Sequence, residues 1–302
     1  MAGLGGVGHL RVLNPEPGLY AYYDGRVPGY RFIEAPNWVD EGAISLGTAS
    51  YALVAGDEAL VYDSHVSVAH AGAIRAHLEG LGVRRFTVTY SHWHLDHVAG
   101  TAAFAGAPVI ANVLTLRHLA AHRKAVEDAT YHGLPAINPL ILPTETFEGH
   151  MAFEFGGERI ELIAANIHSD DAALLWLPGR GVLLAGDTVE DTVTYVGAPE
   201  DFAIHLRDLE KIARLGARRI YPNHGAPERI ASGGYGGDLL AATARYVSWL
   251  QSLAARPEQG ARDLADVVAQ DLEAGTLIYW REYEAVHRQN VEQTLAHFAG
   301  RA

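Results

Sequence analysis

The alternation of apolar and polar positions divides this chain into short extended runs and longer helical ones. LYAYYD at 19–24 alternates as a strand, and SYALVAGDEALVYDS at 50–64 reads as two extended runs folded about Gly56-Asp57, a hairpin signal. Helical spacing follows over 67–82 through Val68, Ile74, Leu78 and Leu81. RFTVTY at 85–90 is a β-branched and aromatic strand. A short helix is expected over 98–105, a strand over 108–112 and a helix over 113–129. The segment 130–150 is weakly periodic, holds three prolines and is long for a plain connection, which marks it as a binding loop or lid. Strands are predicted at 151–155, 158–165, 172–177 and 181–185, a helix at 201–215, and a strand running into a loop at 218–225. Helices are predicted over 238–255, 261–273 and 279–298. Two β-rich halves, each followed by helices, suggest sheets packed between helical layers, and periodicity alone supports α/β or α+β.

The composition narrows the partners. Among 302 residues, 36 acidic and 23 basic side chains leave a formal charge of -13, which repels a phosphate backbone, so nucleic acid is a poor partner. There is no cysteine, which excludes disulfides and thiolate ligands and fits a cytoplasmic protein. The N-terminal stretch has no basic leader before a long apolar run and does not read as a signal peptide. No stretch approaches ~20 consecutive apolar residues, so no membrane span is expected. The expected partner is a small molecule, and a homo-oligomer is compatible with the sequence.

The candidate chemistry lies in SHWHLDHVAG, 91–100. His92 and His94 are two apart after a strand, so both point to one side and can reach one ion. If the chain turns after His94, Asp96 and His97 can face a second. His168 follows ELIAAN, Asp187 follows VLLA and His224 follows RRIYPN, each where a strand gives way to a loop. Imidazole and carboxylate donors suit zinc, and also iron or manganese. Gly100 gives the following helix room to start in tight quarters. His118 and His122 sit at helical spacing without a third partner and read as a solvated helix face. Tyr283 and His287 read as ordinary packing. Tyr131 and His132, in the long loop, are candidates for substrate contact.

HWHLDH resembles the HxHxDH signature of the metallo-β-lactamase superfamily. IHSDD, AGDT and PNHG resemble its later ligand motifs in the same order, and VYDS resembles its first. The likeness covers roughly residues 19–230. It implies an αββα sandwich over 1–237, with the 130–150 segment over the site and a C-terminal helical extension, 238–302, packed on the same domain. It also implies a ligand set. His92, His94 and His168 would bind the first of two divalent ions, zinc foremost. Asp96, His97 and His224 would bind the second, and Asp187 would bridge them. Asp63 would steady the ligand loop by hydrogen bonds.

The implied reaction is hydrolysis of an ester, lactone, thioester or amide by a metal-bridging hydroxide, with Asp96 orienting it and carrying a proton. The absence of cysteine and the presence of Asp187 point away from β-lactamases and toward lactonases, thioesterases and esterases. Tyr195 is a loose match to the tyrosine that quorum-quenching lactonases carry after the bridging aspartate. A mononuclear-iron persulfide dioxygenase and a non-catalytic metal-binding or regulatory protein are the alternatives. Leu134, Ile137, Leu140 and Ile141 are expected to make one pocket wall apolar, with the C-terminal helices as another.

Overall fold

The computed structural model describes residues 6–300. One sheet has seven strands in chain order: β1 (Arg11–Glu16), β2 (Leu19–Asp24), β3 (Thr48–Ala55), β4 (Glu58–Tyr62), β5 (Arg85–Thr89), β6 (Val109–Asn112) and β7 (Glu145–Phe147). The other has five, in the order β12 (Arg219–Pro222), β11 (Val182–Gly186), β10 (Ala173–Leu177), β9 (Glu158–Ala164) and β8 (His150–Phe155).

Side-chain alternation sets the layers. Leu19, Ala21 and Tyr23 of β2, Tyr51 and Leu53 of β3, and Leu60 and Tyr62 of β4 share one core with Ile160, Leu162 and Leu175 of the second sheet. The intervening Tyr22, Ala52, Ala59 and Val61 face the opposite way. They pack with α1 (Val68–Gly80) and α3 (Val113–Glu127) through Ile74, Leu78, Leu119 and Val126. Strands β10 and β11 are apolar on both faces, as sheets covered on two sides require. Their outer face meets α4 (Phe202–Ala213) and, after the short helix α5 (Pro227–Ala231), α6 (Asp238–Ser252), through Phe202, Leu209, Tyr246 and Leu250. The result is an αββα sandwich. Buried tyrosines tie the two sheets together, each hydroxyl finding an acceptor: Tyr62 donates to the Ala173 carbonyl at 2.7 Å and Tyr23 to the Gly225 carbonyl at 2.9 Å. The long C-terminal helix α9 (Tyr283–Ala299) adds Tyr283 and Val291 to the same core. Among the described residues no helix is long and apolar enough to cross a membrane.

Four local departures from the expected elements have physical reasons. Strand β1 escapes the pattern because it holds Pro15 and is mostly exposed, which only an edge strand tolerates. The single helix expected at 98–105 is two pieces. α2 (Leu95–Val98) begins directly after His94, and a 3-10 turn spans Thr101–Phe104. Between them Gly100 lies so close to the preceding loop that a Cβ would stand 2.0 Å from the Ser64 carbonyl oxygen and 2.5 Å from the Ala71 side chain. Gly100→Ala is therefore expected to cost about 1–3 kcal/mol, read as a lower urea midpoint; an unaltered midpoint would show that the contact relaxes freely. The helix expected over 261–273 breaks into a 3-10 turn, Pro257–Ala261, and the short helices α7 (Leu264–Val267) and α8 (Ala269–Glu273), with Asp263 extended before them. The segment 130–150 supplies β7 to the edge of the large sheet.

Candidate functional site

The parallel pairs β4–β5 and β11–β12 place several strand ends on one edge of the sandwich. Asp63 follows β4, Ser91–His97 follows β5, Asp187 follows β11 and His224 follows β12; His168 sits in the β9–β10 connection. The structure brings His92, His94, Asp96, His97, His168, Asp187 and His224 together there. Their donor atoms form the sets His92/His94/His168, His92/His97/Asp187 and Asp96/His97/His224, each with ligand atoms within 4.8 Å of one another. The Asp187 Oδ2 is central: it lies 3.1 Å from His97 Nε2, 3.4 Å from His224 Nε2, 3.6 Å from His92 Nε2 and 3.7 Å from His168 Nε2.

The turn of α2 is what divides the loop. His94 is on extended backbone (φ -63°, ψ 151°), and the helix that starts at Leu95 swings Asp96 and His97 toward His224. Asp96 Oδ2 stands 3.1 Å from His224 Nε2.

The far nitrogens of these rings are anchored. His97 Nδ1 meets Asp63 Oδ2 at 3.0 Å, His224 Nδ1 meets the Gly47 carbonyl at 2.8 Å, and His92 Nδ1 meets Ser91 Oγ at 2.9 Å. Each contact turns Nε2 inward, the arrangement by which metal-binding imidazoles are oriented. Asp63, held at φ 65° after β4, also accepts the Ser91 N–H at 2.7 Å and the Asn223 amide, so one carboxylate pins three parts of the site. Sequence reasoning missed Glu190. Its Oε1 lies 3.5 Å from His168 Nδ1, and its other oxygen accepts the Tyr283 hydroxyl at 3.0 Å. Tyr283 thus reaches the site through Glu190 instead of merely packing.

Electrostatics fit a cation centre. His92 and His94 are lowered, first by burial and then by neighbouring imidazoles, His94 to about 3. Burial also pushes His97 and His224 down, but Asp187 and the carboxylates around it outweigh burial and raise both well above the ordinary value. Burial pushes Asp187 and Asp96 up, but the same imidazoles overcome it and hold both carboxyls low. Protons on His97 and His224 thus supply positive charge that these buried carboxylates require. Two buried atoms of the site, Asp187 Oδ1 and His92 Nε2, have no hydrogen-bond partner among the described residues, which buried polar atoms rarely lack. Oxygen and imidazole donors without thiolate suit zinc, manganese or iron, so these residues fit divalent metal.

A cavity of about 560 Å³ opens over the cluster, a size suited to a small ligand. Tyr131, His132 and Tyr195 all line it, Tyr195 with its ring 5.8 Å from that of His168. The apolar wall differs from expectation. Leu134 is exposed, while Ile137 and Leu140 are buried in the core under α3, and Ile141 packs there too. The apolar lining comes instead from Trp38, Leu46, Trp93, Leu95, Ala285 and Val286. His118 and His122 are not simply solvated: both rings pack against Trp93, and His118 meets Asp170 at 2.8 Å. Neither belongs to the metal-capable sets.

Comparisons with known proteins agree with this architecture. Over 181 residues the chain is 29% identical to an atrochrysone carboxyl ACP thioesterase of Aspergillus fumigatus, covering 60% of this chain and 51% of that protein. It is 26% identical over 190 residues to a beta-lactamase-like protein 2 homolog of Drosophila melanogaster, 59% of each chain. It therefore spans only half to three-fifths of these relatives' length. Its fold matches a metallo-beta-lactamase from Pontibacter korlensis with a TM-score of 0.61 at 17% identity, over 79% of this chain and 99% of that one. The profile of the metallo-beta-lactamase superfamily matches residues 45–224, more than half of the sequence, and the chain belongs to that superfamily.

Proposed function

We propose that the chain is a metal-dependent hydrolase that uses two divalent cations, zinc foremost, to cleave an ester, lactone, thioester or amide in a small substrate. The observation that carries the reading is the shared position of Asp187 Oδ2, within 3.7 Å of imidazole nitrogens from both halves of the cluster. His92, His94 and His168 would hold one cation, Asp96, His97 and His224 the other, with Asp187 between them. Bound there, such ions supply Lewis acidity and lower the pKa of water toward neutrality. The chain's own groups do the rest. Asp96 lines the cavity, and its carboxylate, ionised beside the cation that it would help to hold, can take a proton and return it to the leaving group. Trp93 and Tyr131 wall the substrate side, and Tyr195 stands beside His168. The thioesterase relative supports acyl transfer to water, and the lack of cysteine favours thioesters, esters and lactones over β-lactams.

Metal analysis with a panel of lactones, thioesters, esters and β-lactams tests this. Two equivalents of metal and turnover of an acyl substrate are expected. His94→Ala should abolish turnover and lower the metal content, while His118→Ala should do neither. One iron per chain with oxygen uptake would overturn the reading. Asp63→Ala should lower metal affinity about 10–100-fold by freeing His97 and the loop, measured by chelator competition. Unchanged affinity would remove Asp63 from the supporting role.

A further inference from the structure

Resting on the hydrolase reading, we infer that the substrate is an acyl compound with an apolar or aromatic body and a cationic group, an amine or guanidinium, received by Glu41 and Glu282 at the cavity mouth. No lysine or arginine lines the cavity among the described residues, while Trp38, Trp93, Tyr131 and Tyr195 do. Its other histidine, His132, is lowered by burial and then by His122, so it carries no charge at neutral pH. Glu41, on the helical turn Val39–Ile44, and Glu282, the residue before α9, face the same opening from opposite elements. Both are exposed, and neither has a cationic partner within 4.0 Å among the described residues.

The groove that continues outward from this mouth has the same sign: six carboxylates line it, against Arg281 and Arg288. Glu282 stands at the cap position of α9, yet among the described residues its side chain makes no capping hydrogen bond. The acidic rim is also not an isolated surface cluster. It opens onto a floor where Asp187 is 4% exposed and its Oδ1 has no hydrogen-bond partner among the described residues.

The cavity is therefore polarised. Its floor is built to hold cations and a carbonyl, its walls take an apolar body, and its mouth attracts positive charge. An anionic substrate, such as a phosphate-bearing thioester, would meet like charge on entry.

Two measurements on the metal-loaded protein test this. The first compares kcat/KM for para-nitrophenyl esters with isosteric acyl chains: ε-aminocaproate, heptanoate and the half ester of pimelic acid. At low ionic strength the amino ester is expected to exceed the half ester about tenfold, a preference that shrinks with added salt. The second follows tryptophan quenching by phenylbutylamine and phenylbutanol and does not depend on turnover. The amine should bind several-fold more tightly, and the Glu41→Gln/Glu282→Gln double variant should bring the two ligands close to parity. Preferential amine binding with no ester hydrolysed would keep the cation site and sink the hydrolase reading. Hydrolysis without charge preference, equal binding of amine and alcohol, or a preference that survives the double variant would overturn the inference.

Discussion

Asp187→Ala is expected to abolish retention of both cations and to lower kcat/KM by roughly a thousandfold or more, equivalent to about 4 kcal/mol of transition-state stabilisation. In the proposed assignment every other ligand serves one cation, so losing one leaves the other set complete. Asp187 Oδ2 is the oxygen that His92, His97, His168 and His224 all face, so its removal opens both sets together. The backbone at this point does not depend on the carboxylate. Thr194 donates to the Asp187 carbonyl at 2.5 Å, and β11 remains paired to β12. The variant should therefore fold. His97 and His224 would lose the largest of the influences that raise them. Plasma emission analysis of metal content, with circular dichroism as the control for folding, checks this. Two equivalents of metal in a folded Asp187→Ala protein would show that the two sets do not share this oxygen.

How much of this was legible beforehand follows from range. The His92–His97 run declares itself locally, because its spacing after a strand needs no tertiary information. His168, Asp187 and His224 were readable as strand-end residues, since apolar runs such as VLLA mark where β11 stops. Glu190 was not readable. It lies in an irregular stretch after Asp187, and its meaning comes from Tyr283, far along the chain, and from His168. The pocket walls failed for a related reason. Ile137 and Leu140 are apolar because they fill the core beneath α3, and nothing local distinguishes that from lining a cavity. Trp93 was only partly readable: its place between two candidate ligands put it near the site, but the bends at Ser91 and Trp93 are what set it beside His94 on the cavity wall. Glu41 and Glu282 carry no local signal at all, because their common opening exists only once α9 has docked on α6 and on the loop after β11.

Removal of metal is expected to lower the melting temperature by roughly 10 °C near neutral pH, since ligand at a thousandfold excess over Kd contributes about 4 kcal/mol. The size of that difference should depend on pH in a direction the site sets. In the metal-free protein His97 and His224 have folded pKa values raised above the unfolded value of about 6.5. Their contribution to stability is therefore fully present below that value and is lost as pH rises through the raised ones. His92 and His94 are lowered and neutral in both states above about pH 6.5, so they add nothing to the slope there. Asp96 and Asp187, also lowered, lose their contribution only in strong acid. Cations need the same imidazoles without protons, so their hold strengthens over the range in which protons leave. The gap in melting temperature between loaded and chelated protein should thus widen from pH 6.5 to pH 9. Binding zinc to the stripped protein at pH 7 should release protons, visible as a dependence of the calorimetric heat on the ionisation enthalpy of the buffer. A constant gap and no proton release would mean that protons on His97 and His224 do not occupy the place that cations take, and the charge argument for the site would fail.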